Sequence, residues 1–399
     1  MTTEILTDSN QFRLLCNHIR EAGLVAFDTE FISEYTLYPE LCLLQFATEE
    51  QCVAVDPFQV EDLSPWWEIM ADEEITVVVH GGQAEVKFCL HEFGQRPQNL
   101  IDLQIAEGFR GRSYPLGYGA LIQRVLGKTL KSGETRTDWK KRPLLDRQIQ
   151  YALDDVEYVL PAWQRQKFAL QKADRLEWVK TECDQLIENM VQEMSRENWR
   201  RLSGVYKLKQ RSLAAAIELS QWRDTEAKNK NRPLRQVLRD DLLMEIARKL
   251  PKKREEIDSI RDMNRRNYQR AVPEILDAVG RALTLPKSEL PSTGTTGRNE
   301  KNENEQVISQ LLGIALSNRC AQMNVARQLV GTNADLLDVI RNHYNATEKN
   351  KNGASLPRLL QGWRAEVCGN LMANVLNGKI SMRVATINSE CPLIFEEVN

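Results

Sequence analysis

Apolar positions in the first 172 residues alternate between two periods. Four short runs are strand-like: LVAFDTE (24–30), LCLLQFAT (41–48), QCVAVDP (51–57) and TVVVH (76–80). Helix-spaced stretches follow, notably QAEVKFCLHEF (83–93) and LDRQIQYALDDVEYVLPAWQRQ (145–166). The TEEQ turn (48–51) is short enough to predict an antiparallel hairpin between the second and third strands. Strand–helix alternation after it predicts parallel additions. The expectation is an α/β domain, a mixed sheet with flanking helices.

From about residue 175 the strand signal stops, and the chain reads as several helices punctuated by NRP (231–233) and Pro251. The stretch LPKSELPSTGTTGRNEKNENE (285–305) is polar, lacks apolar periodicity and reads as a flexible linker. A last helical segment follows, clearest at LLQGWRAEVCGNLMANVLNG (359–378). The two helical segments are compatible with distant copies of one unit.

Composition adds three things. A chain of 399 residues has room for two or three domains, and none of its apolar runs approaches a membrane span. The N-terminus lacks the basic start and apolar core of a secretory signal, and eight scattered cysteines form no C-x-x-C pair, so a reducing cytoplasm is expected. The net charge of −3 is uneven. Between Arg196 and Leu285 stand 22 Lys and Arg against 13 Asp and Glu, a basic module in an otherwise acidic chain, which suggests a polyanion partner.

Asp28 and Glu30 end the first strand with one threonine between them, so they point to the same side. Like charges held close raise each other's pKa, and oxygen-seeking divalent cations compensate that repulsion well. An edge strand fraying into solvated acids would look the same locally. A second clue lies in YALDDV, where Tyr151 and Asp155 are four apart and share a helix face, while Asp154 points elsewhere. Three carboxylates and a phenol suffice for a two-metal phosphodiester site.

DTEF (28–31), the H-x-x-x-x-acid run in HGGQAEVKF (80–88), ETRTDWKKRPL (134–144) and Y-x-x-x-D in YALDDV occur in order. In that order they resemble the DEDD exonucleases of the tyrosine subclass, and within them the ribonuclease D family. LAAAIELSQWR (213–223), the R-P turn, VLRDD (237–241) and IARKLP (246–251) resemble the helicase-and-RNase-D C-terminal (HRDC) domain. The resemblance implies a ribonuclease H-like exonuclease domain at 1–172 and an all-α HRDC-like domain at 195–285. A linker at 286–302 and a second, divergent HRDC-like domain at 303–399 complete the expected order.

The implied activity is a metal-dependent 3′→5′ exoribonuclease using two Mg²⁺ or Mn²⁺ ions. It would release nucleoside 5′-monophosphates from RNA ends, with tRNA precursors as the typical substrate. Asp28, Glu30 and Asp155 become metal ligands by this resemblance, and Tyr151 orients or helps deprotonate the attacking water. Glu85 occupies the fourth ligand position, where the family pattern has aspartate; it keeps the charge and adds a methylene.

Other residues carry weaker expectations. His80 would touch the phosphate or be satisfied by nearby backbone; Asp102 would support the site or cap a helix. Gln45 would hydrogen-bond beside the acidic pair or face outward. Arg136, Lys140, Lys141 and Arg142 form a cluster suited to gripping phosphates, and Trp139 is expected to pack rather than stack on a base. In the basic module Lys207, Lys209 and Arg211, then Lys252, Lys253, Arg254, Arg265 and Arg266, are the cations assigned to nucleic acid, with Trp222 in the core. A catalytically weakened RNA-binding scaffold and a DNA 3′→5′ exonuclease are the alternative readings.

Overall fold

The computed structural model describes residues 5–130, 137–292, 303–349, 356–386 and 391–398. Six strands form one sheet: β1 (Ile5–Leu6), β2 (Leu24–Ile32), β3 (Glu40–Ala47), β4 (Cys52–Val55), β5 (Thr76–Val79) and β6 (Leu100–Asp102). Their order is β1-β4-β3-β2-β5-β6. Strands β2, β3 and β4 pair antiparallel, β1 joins β4 in parallel, and β5 and β6 add in parallel beyond β2. The expected hairpin and parallel additions are both present. The sheet is mixed.

Alternation along β2 splits the molecule into two layers. Val25 and Phe27 face helices α1 (Ser9–Ala22), α2 (Ser64–Met70) and α3 (Gln83–Phe88). Phe27 and Phe46 sit 4.4 and 4.7 Å from the Trp66 ring in that layer. Ala26, with Val78 and Ile101, faces α4 (Leu103–Arg110), α5 (Tyr118–Leu126) and α7 (Val159–Lys172). Beside them α6 (Asp146–Glu157) covers Leu43 and Ala54. The long stretch 145–166 is thus two helices rather than one. Pro161 explains the break: it has no N–H, and its ring collides with the carbonyl four residues back, at Glu157, so it fits only in the first turn of a new helix.

Helix α8 (Leu176–Ser195) spans both layers, with Val179 and Cys183 in one core and Ile187 and Met190 in the other. After it come α9 (Gln210–Lys230), α10 (Leu234–Val237), α11 (Asp240–Lys249), α12 (Arg254–Asp258), α13 (Arg266–Arg270) and α14 (Val272–Thr284). These close around a core of their own, including Leu219, Leu243, Ile246 and Ile275, with Trp222 packed at its margin.

The last helices are α15 (Glu303–Gln322), α16 (Arg327–Val330), α17 (Asn333–Lys349), α18 (Gly362–Cys368) and α19 (Leu371–Leu376). They do not form a separate core. Leu316, Leu336 and Trp363 continue the core of α4 and α7, and the Trp363 ring lies 4.7 Å from Phe109 and 5.7 Å from Trp178. Arg364 is buried there, and its guanidinium meets both Glu182 oxygens at 2.7 Å and the carbonyls of Leu329 and Val330. Such pairing is what a buried cation requires.

Two details depart from the sequence expectations. The C-terminal part is not wholly helical: β7 (Ile380–Val384) and β8 (Leu393–Glu397) form an antiparallel hairpin. The expected linker is described only as far as residue 292, and residues 293–302 lie outside the described residues.

Candidate active site

The site forms where β2 meets the start of α3 and the face of α6. Asp28 and Glu30 emerge on the α6 side of the sheet, because Ala26 two residues earlier belongs to that side's core. Tyr151 and Asp155 lie one turn apart on the same face of α6. A cleft of about 220 Å³ is lined by Phe27, Asp28, His80, Tyr118, Tyr151 and Asp155.

Glu85 reaches the site from α3. The β5–α3 turn that carries it is fixed by Asp102, whose carboxylate accepts from Gly81 N–H at 3.1 Å, Gly82 N–H at 3.2 Å and Gln104 N–H at 2.7 Å. Asp102 therefore caps α4 and also holds the turn beside the acids. Both glycines are required: Gly81 has φ +70°, and a Cβ on Gly82 would lie 2.3 Å from Val79 Cγ2. Glu85 is 3% exposed, and its Oε1 accepts a 2.6 Å hydrogen bond from the Thr29 hydroxyl.

All four carboxylates are pushed toward the neutral form. Asp28 lies well above the usual carboxylate range, first through lost solvation and then through Glu85, Asp155 and Glu30. Glu30 is pushed up to about 8 by burial, reinforced by Asp155 and Glu85. Burial lifts Glu85 to about 7 against the pull of the Thr29 hydroxyl, and Asp155 to about 6 against that of Tyr151. Burial, then the Asp155 charge, raises the Tyr151 phenol, so it stays protonated. Clustered oxygen donors that resist sharing negative charge suit a hard divalent cation. Among the described residues, no three His, Cys, Asp or Glu side chains stand as a ready-made chelate. The set fits in chemistry and number, with Glu85 held toward Thr29.

The remaining expectations divide. His80 is satisfied by backbone, its Nε2 lying 2.9 Å from the Leu116 carbonyl, and it also lines the cleft. Gln45 does not face outward: it is fully buried opposite Asp28, and neither amide atom has a hydrogen-bond partner. Trp139 packs at 6% exposure. Lys140 is exposed and pairs with Glu40 at 2.8 Å; Lys207 and Lys209 are exposed. Arg136 lies outside the described residues.

Two cations need correction. Arg142 is committed to Asp56 at 2.6 and 2.9 Å and to the carbonyls of Cys42, Trp139 and Lys141, so its donors are spent inside the fold. Arg211 donates to the Ala282 and Leu285 carbonyls at 2.9 and 2.6 Å, closing the end of α14. Arg142 is thus not placed to grip phosphate, and Arg211 has its Nη1 committed to the fold.

Tyr118 escaped the sequence reading. It opens α5, its ring meets His80 edge-on at 5.3 Å, and its hydroxyl donates to the Asp154 carbonyl at 3.0 Å. That bond ties α5 to α6 across the cleft. No periodicity in the YPLGYG segment (114–119) marks it.

Comparison with known proteins gives the arrangement its context. Residues 3–171 match the 3′-5′ exonuclease domain family, and residues 212–279 match the HRDC domain. Ribonuclease D of Bartonella henselae is 30% identical over 382 residues, covering 94% of this chain and 91% of that one. Ribonuclease D of Escherichia coli is 28% identical, covering 94% and 99%. The crystal structure of E. coli RNase D, described as an exoribonuclease involved in structured RNA processing, superposes with a TM-score of 0.81 at 28% identity, over 95% of this chain and 99% of that one. The catalytic core of RRP6 from Trypanosoma brucei shares the fold at a TM-score of 0.54 and 21% identity, over 70% and 79%. Exonucleases of this fold are generally dependent on divalent metal ions. The scaffold and DNA-exonuclease readings are not favoured. With an exonuclease domain, an HRDC domain and this likeness along nearly the whole chain, the protein belongs to the ribonuclease D family and is a 3′→5′ exoribonuclease.

Proposed function

We propose that this exoribonuclease trims the 3′ ends of structured RNA, tRNA precursors among them, and releases nucleoside 5′-monophosphates. Asp28, Glu30, Glu85 and Asp155 hold two divalent ions, Mg²⁺ or Mn²⁺. The observation that carries this reading is a cleft lined by Asp28, Asp155 and Tyr151, with Glu30 beside Asp28 on β2, where burial pushes the carboxylates toward the neutral form. Bound there, the ions would make water nucleophilic at neutral pH and offset charge on the departing 3′-oxygen. Tyr151, kept protonated, acts as a hydrogen-bonding group that orients the water rather than as its base. His80 and Tyr118 wall the cleft against which the terminal nucleotide lies.

The domain division we propose is 1–172 for the nuclease, 195–285 for the helical module, 286–302 for the linker, and 303–399 for a last segment whose helices share the nuclease core. The basic helical module, with Lys207 and Lys209 exposed, holds the RNA body. A cytoplasmic setting fits cysteines none of which is disulfide-bonded among the described residues. No helix of the described residues is long and apolar enough to cross a membrane.

The test is incubation with 3′-extended tRNA, linear RNA and single-stranded DNA, in Mg²⁺ and separately in Mn²⁺. Stepwise loss of 3′ nucleotides from both RNAs, abolished in Asp28→Ala, is expected. Equal turnover by Asp28→Ala would remove the cluster from the chemistry.

A further inference from the structure

The Glu85 carboxylate is constrained from two sides. Its backbone is fixed through the Gly81–Gly82 turn that Asp102 holds. Its Oε1 is fixed by Thr29, which lies between Asp28 and Glu30 on β2. Strand alternation turns the Thr29 side chain to the opposite face from those two acids. The oxygen that meets the hydroxyl is therefore drawn away from the acidic pair, and Oε2 is the oxygen that the Thr29 hydroxyl does not hold. Thr29 and Glu85 are 6% and 3% exposed, so water does not compete for this bond.

We propose that Thr29 is a positioning residue that sets which divalent cation the site prefers, by restricting Glu85 to one coordinating oxygen. The inference rests on the reading of Glu85 as a metal ligand given above. Carboxylates can bind a cation through one oxygen or two. Mg²⁺ is small and demands near-ideal octahedral order, whereas Ca²⁺ is larger, tolerates irregular shells and accepts two-oxygen carboxylates. A glutamate whose second oxygen is tethered to a hydroxyl on the far side of the strand fits the first and penalises the second. Its longer arm suits it to the task, since it spans from α3 to Thr29 while still reaching the cluster.

Binding can be read without turnover. Mn²⁺ alone is titrated into the metal-stripped protein, free ion is followed by electron paramagnetic resonance, and Mg²⁺ and Ca²⁺ are added as competitors. In Thr29→Val, which keeps shape and strand preference but lacks the hydroxyl, the Ca²⁺-to-Mg²⁺ competition ratio should rise about tenfold. Thr29→Ser should restore the parental ratio. A parental ratio in Thr29→Val, or an altered one in Thr29→Ser, overturns the inference. If Thr29→Val does not fold, Thr29→Ala reads the same shift. Asp28→Asn separates the two levels. Mn²⁺ binding unchanged in Asp28→Asn would sink the metal reading of the cluster. Binding lost there, with the Thr29→Val ratio unmoved, would sink only the role of Thr29.

Discussion

Gln45 stands directly opposite Asp28 in the antiparallel β2–β3 pair, and its buried amide has no hydrogen-bond partner. An unpaired buried polar group costs about 1–3 kcal/mol. Gln45→Leu should therefore raise the melting temperature, by about 1 °C for each kcal/mol recovered in a chain of this size. Turnover should be little changed, because the amide makes no hydrogen bond to Asp28. Thermal unfolding and single-turnover hydrolysis check both, and a lowered melting temperature would show that the amide is satisfied in solution.

Glu30 gives the metal-free protein a pH dependence of definite sign. Its pKa rises from 4.5 to about 8 on folding, so the folded state binds the proton more tightly than the unfolded chain. Stability from this group is full below pH 4.5 and is lost as pH rises toward 8, by on the order of a few kcal/mol. In chelator, the melting temperature should fall across that window, and Glu30→Gln should flatten the fall. Parallel curves for the two proteins would exclude Glu30 as the source.

Tyr151→Phe removes the hydroxyl one helical turn from Asp155 and leaves the ring beside Trp139, 6.2 Å between centroids. The fold should persist. Single-turnover hydrolysis should slow by roughly 10²-fold with RNA affinity unchanged. A parental rate would remove the phenol from the orientation of water.

Glu85→Asp shortens the arm by about one C–C bond, roughly 1.5 Å, and so forfeits the 2.6 Å bond to Thr29. Activity in Mg²⁺ should fall. A gain would mean that glutamate impairs the site.

The exposed lysines and the committed arginines should behave differently. Lys207→Ala with Lys209→Ala should reduce the salt slope of RNA affinity by roughly one to two. Arg211→Ala should lower the melting temperature and leave that slope alone, since its Nη1 closes α14. Equilibrium binding across a salt series separates the two.

How much of this was legible depended on whether the partner lay nearby in the chain. Asp28 with Glu30 and Tyr151 with Asp155 share faces by strand and helix period, which sequence displays directly. Glu85 was placed by resemblance alone, and its bond to Thr29 depends on how α3 approaches β2. Arg142 and Arg211 looked like phosphate grips because charge in a sequence does not reveal whether a carboxylate or carbonyl waits in the fold. Tyr118 was invisible for the same reason. The terminal hairpin was legible and overlooked: Ile380, Met382 and Val384 alternate with polar residues in strand fashion. Pro161 likewise announced the end of α6.

The aromatic contact among Phe109, Trp178 and Trp363 makes the order of synthesis differ from the order of assembly. The catalytic sheet is translated before these last helices, yet one of its layers stays uncovered until the segment around Trp363 has been made. Meanwhile α9–α14, closing on their own core, can finish folding as an inserted unit. The nascent chain thus carries Trp178 without its ring partner while residues 179–363 are being made, an interval in which that apolar surface is open to chaperones.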